Sequence, residues 1–191
     1  MARREREISS IAGTDEETCQ VKQAIAGDPE AFARLYDVYV NAIYRFVLLR
    51  VSDRQTAEDL TSQVFLKAWE SLGRYRRRQF SFRAWLFRVT RNMIIDHYRA
   101  RKNTAPLEAA IPVADPQLNV KALVDRQLLG ENLWVLLQQL SEAQREVLIL
   151  KFVEEMSTAE VAQVMGKRKG AIRALQMRGL QALREMVSAY E

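Results

Sequence analysis

Basic and aromatic side chains are concentrated in residues 73–102. Ten of these residues are Lys or Arg, and Asp96 is the one acid. Six of the chain's sixteen aromatic residues also lie in this stretch. Cationic side chains neutralise phosphates, and aromatic rings stack on unpaired bases, with each stack contributing about 1–3 kcal/mol. Because a surface that only gripped a duplex would need the charge but not the rings, the stretch predicts a surface for opened nucleic acid.

The spacing within this stretch predicts an amphipathic helix from Phe82 onward, with Ser81 as its N-cap. One face is mainly apolar. The opposite face steps by three or four residues through Trp85, Arg88, Asn92, Asp96 and Arg99. A tryptophan on a polar face is unusual, because its ring normally buries most of its area. Two interpretations stay open: a solvated basic face with the tryptophan packed under a neighbouring helix, or a nucleic-acid platform preceded by a loop, residues 74–80, that holds a flipped base.

A second basic stretch, residues 166–184, holds six Lys or Arg residues and no acid. It follows a short predicted helix capped by Ser157 and Glu160 and ended by Gly166, which is the layout of a helix-turn-helix. The short helix is expected to pack through Val161, Ala162 and Met165 against one face of the last helix, formed by Ile172, Leu175, Gly179 and Leu183. Any helical hairpin with a basic tail shows the same pattern. The two basic stretches together indicate two contacts with one polyanion.

The remaining sequence shows helical periods and no sustained alternation or hairpin signal. The predicted fold class is all-α, with two small helical domains joined by an extended linker. Ser141 with Gln144 is expected to cap a helix that runs through Phe152, and Ser52 or Asp53 to cap the third helix. Composition places a disordered tail at 1–14, a first domain at 15–102, a proline-containing linker at 103–119 and a second domain at 120–191.

Composition also excludes several classes of protein. The 191 residues are 48% apolar and 28% charged, with a net charge of +5, which suits helical cores and an anionic partner. A single cysteine, Cys19, and a single histidine, His97, leave no disulfide framework and no zinc set, so no metal or other cofactor is expected. No apolar run of membrane-spanning length or signal-peptide core occurs, which predicts a cytoplasmic protein without membrane insertion. No phosphate-binding loop or catalytic triad occurs, and no catalytic residue is predicted.

Four segments follow one another along the chain: DRQTAEDLTSQVFLKAW from Asp53, FRAWLFRVTRNMIIDHYR from Phe82, LSEAQREVLILKF from Leu140 and STAEVAQVMG from Ser157. In this order they resemble the sigma factors of bacterial RNA polymerase, specifically the small extracytoplasmic-function (ECF) type of the sigma-seventy superfamily. The first segment resembles the family's helix that binds the core polymerase, and the second resembles its promoter-melting helix. The last two resemble its fourth conserved region. The likeness extends over residues 30–101 and 130–187.

The resemblance implies promoter-specific transcription initiation with bacterial core RNA polymerase. The implied polymerase contacts are Glu58, Asp59, Leu60, Gln63, Val64, Phe65 and Lys67. The implied contacts to the minus-ten promoter element, in duplex and melted form, are Arg74, Tyr75, Arg76, Arg77, Arg78, Phe80, Ser81, Arg83, Trp85, Arg88, Asn92, Asp96 and Arg99. The implied contacts to the minus-thirty-five element, on a helix-turn-helix at 158–177, are Lys167, Arg168, Lys169, Gly170, Arg173, Ala174, Met177 and Arg178. An anti-sigma factor is a further implied partner.

Two other classes compete with this interpretation. An enzyme has no supporting motif. A promoter-binding repressor or activator would share the helix-turn-helix and use its N-terminal half to dimerise or to bind an effector. The aromatic and basic face at Trp85 favours the sigma factor, because a regulator gains nothing by melting DNA. Tight binding of the isolated protein to duplex DNA would favour the repressor.

Overall fold

The computed structural model describes residues 15–75, 81–104 and 131–188, and these are helical with no strand. The N-terminal unit contains α1 (Asp15–Ile25), α2 (Pro29–Val51), α3 (Arg54–Ser71) and α4 (Phe82–Thr104), with a 3-10 turn at Leu72–Arg74. The C-terminal unit contains α5 (Glu131–Gln139), α6 (Glu142–Leu148), α7 (Thr158–Met165) and α8 (Lys169–Ser188), with a π-helical turn at Ile149–Val153 after α6. The all-α prediction is confirmed.

Short polar side chains begin the helices of the N-terminal unit. Asp28 Oδ1 accepts a hydrogen bond from the Glu30 amide at 2.9 Å, and Asp53 Oδ2 accepts one from the Thr56 amide at 2.7 Å. Each such cap stabilises a helix by about 0.5–2 kcal/mol. Ser52 instead ends α2 in a left-handed conformation, with φ of 58°. Of the two residues considered for the third cap, Asp53 therefore has that role.

The C-terminal unit contains both predicted capping boxes. Ser141 and Gln144 start α6, and Ser157 and Glu160 start α7. Gly166 ends α7 with a φ of 63°, a conformation that glycine adopts at little cost. The α-helical part of α6 ends at Leu148 and the chain continues as the π-helical turn. The segment through Phe152 is thus helical, as predicted, but not α-helical to its end.

The core begins around α2, the long central helix of the N-terminal unit. The rings of Phe46 and Phe87 lie 5.3 Å apart between α2 and α4, and both are fully buried. Loss of a buried phenylalanine ring typically costs about 3–5 kcal/mol. The apolar sides of α1, α3 and α4 pack onto the same helix. This packing decides which face of α4 stays in solvent.

The same core continues into the C-terminal unit, where α7 lies against α4 and the π-helical turn against α2. Its C-terminal members are Val147, Ile149, Leu150, Met156, Val161, Ala162, Val164, Met165 and Ile172. The two units expected as separate domains therefore share an interface. The predicted tail at 1–14 lies outside the described residues, as do residues 105–119 of the predicted linker, and α4 extends to Thr104.

The second half of α8 packs differently from the prediction. A smaller cluster joins Leu137, Leu140 and Leu148 to Leu183 and its neighbours. A Cβ on Gly179 would lie 3.2 Å from Leu148 Cδ1, so glycine at this position permits close packing of α8 on α6. Ile172 and Leu175 join the core that contains α7, as expected, whereas the partners found for Gly179 and Leu183 are α5 and α6. In the described ranges, no helix has the length and apolar character needed to cross a membrane.

Candidate nucleic-acid interface

The outer face of α4 is a strip of polar side chains. Arg88, Asn92, Asp96 and Arg99 are all exposed and follow one another at three- or four-residue spacing. The strip exists because Phe82, Leu86 and Ile94 hold the opposite face in the core. Arg99 Nη1 and Asp96 Oδ1 are 3.5 Å apart, an exposed contact that contributes little stability. The structure thus brings together four of the residues predicted from the sequence.

Trp85 lies at the edge of this strip and is partly buried. Its ring centroid is 5.3 Å from that of Tyr75 and 5.5 Å from that of Phe82. Tyr75 itself is only 5% exposed, so it serves as part of the core and not as an open platform for bases. Tyr75 was predicted to contact DNA, but it is buried because its ring packs on those of Phe82 and Trp85. Trp85 retains an accessible part, whereas the predicted DNA contact by Tyr75 is not supported.

Two further predicted DNA contacts are engaged by the C-terminal unit. Arg83 donates a hydrogen bond to the backbone carbonyl of Glu154, and its guanidinium lies 5.9 Å from the centre of the Phe87 ring. Ser81 accepts from the Ala84 amide at 3.1 Å, which caps α4, and donates to Glu160 Oε1 at 3.4 Å. Arg74 is exposed. The predicted contacts Arg76, Arg77, Arg78 and Phe80 lie outside the described residues.

The predicted polymerase-binding residues of α3 divide into two groups. Glu58, Asp59, Gln63 and Lys67 are exposed on one side of the helix. Leu60, Val64 and Phe65 are 5%, 0% and 5% exposed, so their side chains pack inside the unit and are not available to a partner. The sequence did not separate the exposed group from the buried group, because both belong to the segment from Asp53 that resembles the polymerase-binding helix. The buried three orient the helix that presents the exposed four.

The helices α2 and α3 form an exposed apolar surface that was not predicted from the sequence. Leu66 is 60% exposed, Tyr36 41% and Trp69 36%. Phe32 joins them, with its ring 5.0 Å from that of Trp69, and Phe65 lies beneath. We call Phe32, Tyr36, Leu66 and Trp69 the apolar patch. The signal for it in the sequence was an apolar pair, Leu66 and Trp69, on the side of α3 that carries the charged residues.

The helix-turn-helix is formed by α7, the turn at Gly166 and α8. Its basic residues Lys167, Arg168, Lys169 and Arg173 are exposed, and none forms an ion pair within the described part of the chain. A Cβ on Gly170 would meet no atom within 4 Å, so the protein's own packing does not require glycine there. Backbone amides at a helix N-terminus favour anions, and the lysines and arginines next to it add charge.

The middle of α8 carries the remaining predicted contacts. Met177 is 65% exposed and Ala174 is partly buried. Arg178 is exposed and donates to the carbonyl of Ala174 at 3.3 Å. Arg178 extends the basic surface by about one helical turn beyond Arg173. The described parts of the two basic stretches therefore form two exposed polar surfaces, one on α4 and one at the start of α8.

Both surfaces lie in segments that match the sequence models of one family. Residues 35–104 match the family Sigma-70 region 2, and residues 130–183 match Sigma-70, region 4. The ECF RNA polymerase sigma factor BldN of Streptomyces coelicolor is 34% identical over 87% of this chain, which spans 64% of that relative's length. SigL of Mycobacterium tuberculosis is 30% identical over 86% of the chain and 93% of the relative. SigW of Bacillus subtilis is 28% identical over 88% of the chain and 95% of the relative.

Solved structures share the fold. CnrH, solved in complex with the cytosolic domain of CnrY, superposes with a TM-score of 0.73 over 93% of this chain and 100% of that chain, at 24% identity. RpoE of Bartonella quintana, solved with the anti-sigma factor NepR, has a TM-score of 0.62 over 82% and 96%, at 21% identity. With both conserved regions matched in order, the chain belongs to the ECF RNA polymerase sigma factors, and its function is promoter-directed transcription initiation.

Proposed function

We propose that this sigma factor contacts the minus-ten element through the polar strip of α4 and reads the minus-thirty-five element through the start of α8. The observation that carries the proposal is the exposure of Arg88, Asn92 and Arg99 on one helix and of Lys169 and Arg173 on the other. Arginine and asparagine donate hydrogen bonds to phosphates and to base edges. The two helices lie in the segments matched to regions 2 and 4.

Opening of the minus-ten element needs groups that hold an unpaired strand. The accessible part of Trp85 can stack on one base, and the neighbouring Arg88 can neutralise the phosphate beside it. Asp96 and Asn92 add acceptors for the exocyclic amines of bases. Residues 74–80 stay the proposed site for a flipped base; of their two described members, Arg74 is exposed and Tyr75 is buried.

The core polymerase is proposed to dock on α3 and the apolar patch. Leu66 and Trp69 supply exposed apolar area, and Glu58, Asp59, Gln63 and Lys67 supply the polar rim around it. An aromatic centre with a polar rim is the usual composition of a protein interface. The three buried residues of the motif, Leu60, Val64 and Phe65, are proposed as its internal support. The factor itself is proposed to be non-catalytic and, as a partner of the polymerase, cytoplasmic.

An anti-sigma factor is proposed as the regulator. RpoE of Bartonella quintana was solved with the anti-sigma factor NepR and CnrH with the cytosolic domain of CnrY, and both share this fold. A regulator of this kind would stop initiation when added to the purified factor before the polymerase. Addition after the polymerase should have a smaller effect, because the docking surface is then occupied.

Run-off transcription tests the proposed function. Purified core polymerase is incubated with a pool of genomic fragments, with and without this protein. Transcripts that start at discrete sites only in its presence are expected, and alignment of those sites gives both promoter elements. A lack of initiation combined with tight binding to duplex DNA by the protein alone would contradict the proposal and favour a repressor.

A further inference from the structure

A buried hydrogen bond joins α1 to α2 close to the first turn of α4. The Tyr39 hydroxyl donates to Glu17 Oε1 at 2.6 Å, and the two residues are 2% and 6% exposed. Burial raises the pKa of the Tyr39 hydroxyl, and the nearby Glu17 carboxylate raises it further. The phenol therefore keeps its proton at ordinary pH and is the donor of this bond.

Aromatic rings continue from this bond to the edge of the polar strip. The centre of the Tyr39 ring lies 5.6 Å from that of Phe82, and the centre of the Phe82 ring lies 5.5 Å from that of Trp85. Tyr75 packs edge-on against Phe82, with ring centres 5.9 Å apart, and its ring lies 5.3 Å from that of Trp85. We call Tyr39, Phe82, Tyr75 and Trp85 the aromatic row. Its first three members are buried, and of the four only Trp85 retains an accessible part.

The hydrogen bond adds a direction that apolar packing lacks. Removing a carboxylate from water is costly, and a buried one is tolerated only where well-directed hydrogen bonds reach it. Apolar contact is non-directional, whereas a short hydrogen bond between two oxygens fixes the direction of its donor. The bond to Glu17 therefore holds the Tyr39 ring in one orientation, and with it the surface on which Phe82 packs.

The first turn of α4 transfers this orientation to Trp85. Phe82 is the first residue of the helix, and the Trp85 amide donates to the Ser81 carbonyl at 3.0 Å in the same turn. The position of Phe82 thus sets the direction in which this turn presents the indole ring. Because aromatic stacking depends on the relative orientation of the two planes, a displaced ring stacks less well on a base.

We propose that Tyr39 and Glu17 are positioning residues for promoter opening: their hydrogen bond, acting through Phe82, orients the Trp85 ring for stacking on an unpaired base of the minus-ten element. The inference rests on the proposed stacking role of Trp85. It adds α1, which carries no proposed promoter contact, to the elements that support opening. A ring already held in its binding orientation loses less conformational freedom when the base arrives. Loss of the bond should therefore weaken opening and leave the affinity for core polymerase unchanged.

A double variant, Tyr39→Phe with Glu17→Leu, replaces the hydrogen bond by apolar contact. Exchanging both partners of a buried hydrogen bond for apolar groups of similar shape is often nearly neutral for stability. In the holoenzyme, permanganate reactivity of unpaired thymines should fall several-fold, whereas co-sedimentation with core polymerase should not change. Glu17→Gln keeps a side-chain oxygen that accepts from Tyr39, so this conservative variant should retain most of the opening. Tyr39→Phe, which keeps the ring, takes the place of the double variant if that chain does not fold.

Fluorine NMR of the full chain reports the surroundings of Trp85 directly. All three tryptophans are replaced by 5-fluorotryptophan, and the Trp85 signal is assigned by its loss in Trp85→Phe. The double variant should shift this signal and leave that of Trp69, on the apolar patch, in place. An unmoved Trp85 signal in the folded double variant would overturn the proposal. A shifted signal with normal opening would overturn the role of the bond in promoter opening.

Two control variants separate positioning from stability. Val21→Ala shortens a buried side chain of α1 and should lower the free energy of unfolding, measured in urea, without reducing opening by the folded chain. Tyr44→Phe removes from α2 a hydroxyl that has no hydrogen-bond partner among the described residues, and both opening and the Trp85 signal should stay unchanged. Equal losses of opening in Val21→Ala and the double variant would assign the effect to stability and overturn positioning.

The unchanged chain separates this proposal from the proposed function. Normal opening by the unchanged chain and by the double variant would overturn only the positioning role. Failure of the unchanged chain to open any promoter would overturn the proposed function and the role in opening with it. The Trp85 signal would still decide whether the bond between Glu17 and Tyr39 orients the indole ring.

Discussion

The two basic stretches of the chain use their charge differently. In residues 166–184 all six cations are exposed, whereas in the described part of residues 73–102 Arg83 and Arg91 are partly buried and bonded to the C-terminal unit. A cation in an ion pair inside the protein is not available to a phosphate. The number of Lys and Arg residues in a stretch therefore indicates its capacity to bind nucleic acid only where these side chains are not paired with carboxylates of the same chain.

The largest expected effect is on stability and concerns Glu146. Glu146→Ala leaves Arg50, 2% exposed, with Glu142 as its remaining acidic partner and also removes the partner of Arg91. Breaking a buried pair typically costs about 3–5 kcal/mol, which urea unfolding would measure. Arg54→Ala is the control, because its exposed pair with Glu58 is screened by water and contributes little to stability. Equal losses in the two variants would contradict the contrast between buried and exposed ion pairs.

A second prediction separates Arg173 from Arg91. Arg173→Ala should leave unfolding unchanged and reduce recognition of the upstream element, since one base-reading arginine contributes about 1–3 kcal/mol of discrimination. The measurement is initiation on promoters with single substitutions in that element. Arg91→Ala should instead lower the free energy of unfolding, because it removes a partner of the buried Glu146 carboxylate. An equal loss for Arg173→Ala on every promoter sequence would indicate contact with phosphate and not with a base.

The third prediction contrasts two tryptophans. Trp85→Ala should impair promoter opening by the equivalent of one lost base stack, about 1–3 kcal/mol, while the affinity for core polymerase is unchanged. Trp69→Ala on the apolar patch should instead lower the affinity for core polymerase and leave the opening of DNA by the assembled enzyme unchanged. Permanganate reactivity of unpaired thymines measures opening, and co-sedimentation with core polymerase measures binding. Normal opening by a folded Trp85→Ala factor would remove the stacking role of this residue.

The smallest expected effect is a pH dependence at Glu154. Its pKa is raised in the folded chain, so between the ordinary glutamate pKa and the raised value the folded state binds more protons than the unfolded state. Stability from this group is therefore greatest at low pH and is lost as pH rises through the raised pKa. Glu154→Gln should flatten this part of the stability profile, as urea unfolding across mildly acidic pH would show. A profile that keeps its slope in this variant would assign the dependence to other groups.

Much of the architecture could be predicted because its causes are local. Asp53, the two capping boxes and Gly166 set helix ends through contacts within three or four residues, and a period of 3.6 residues placed Phe82, Leu86 and Ile94 in the core. The order of the motifs also indicated the family. Leu60, Val64 and Phe65 were predicted as polymerase contacts but are buried in this structure, and a sequence motif contains both the residues that touch a partner and the residues that support them.

The sequence by itself determined the all-α class of the described residues, several of their helix ends and the two helices that carry exposed cationic side chains. Local hydrogen bonds and the helical period depend on neighbours within a turn, so no tertiary information is needed. Only the tertiary structure decided that Tyr75 is buried, that Trp85 is partly covered and that Arg45, Arg50 and Arg91 meet acids more than fifty residues away. Ion-pair partners so far apart in the sequence depend on how whole helices pack, because the packing decides which charged side chains are buried next to each other.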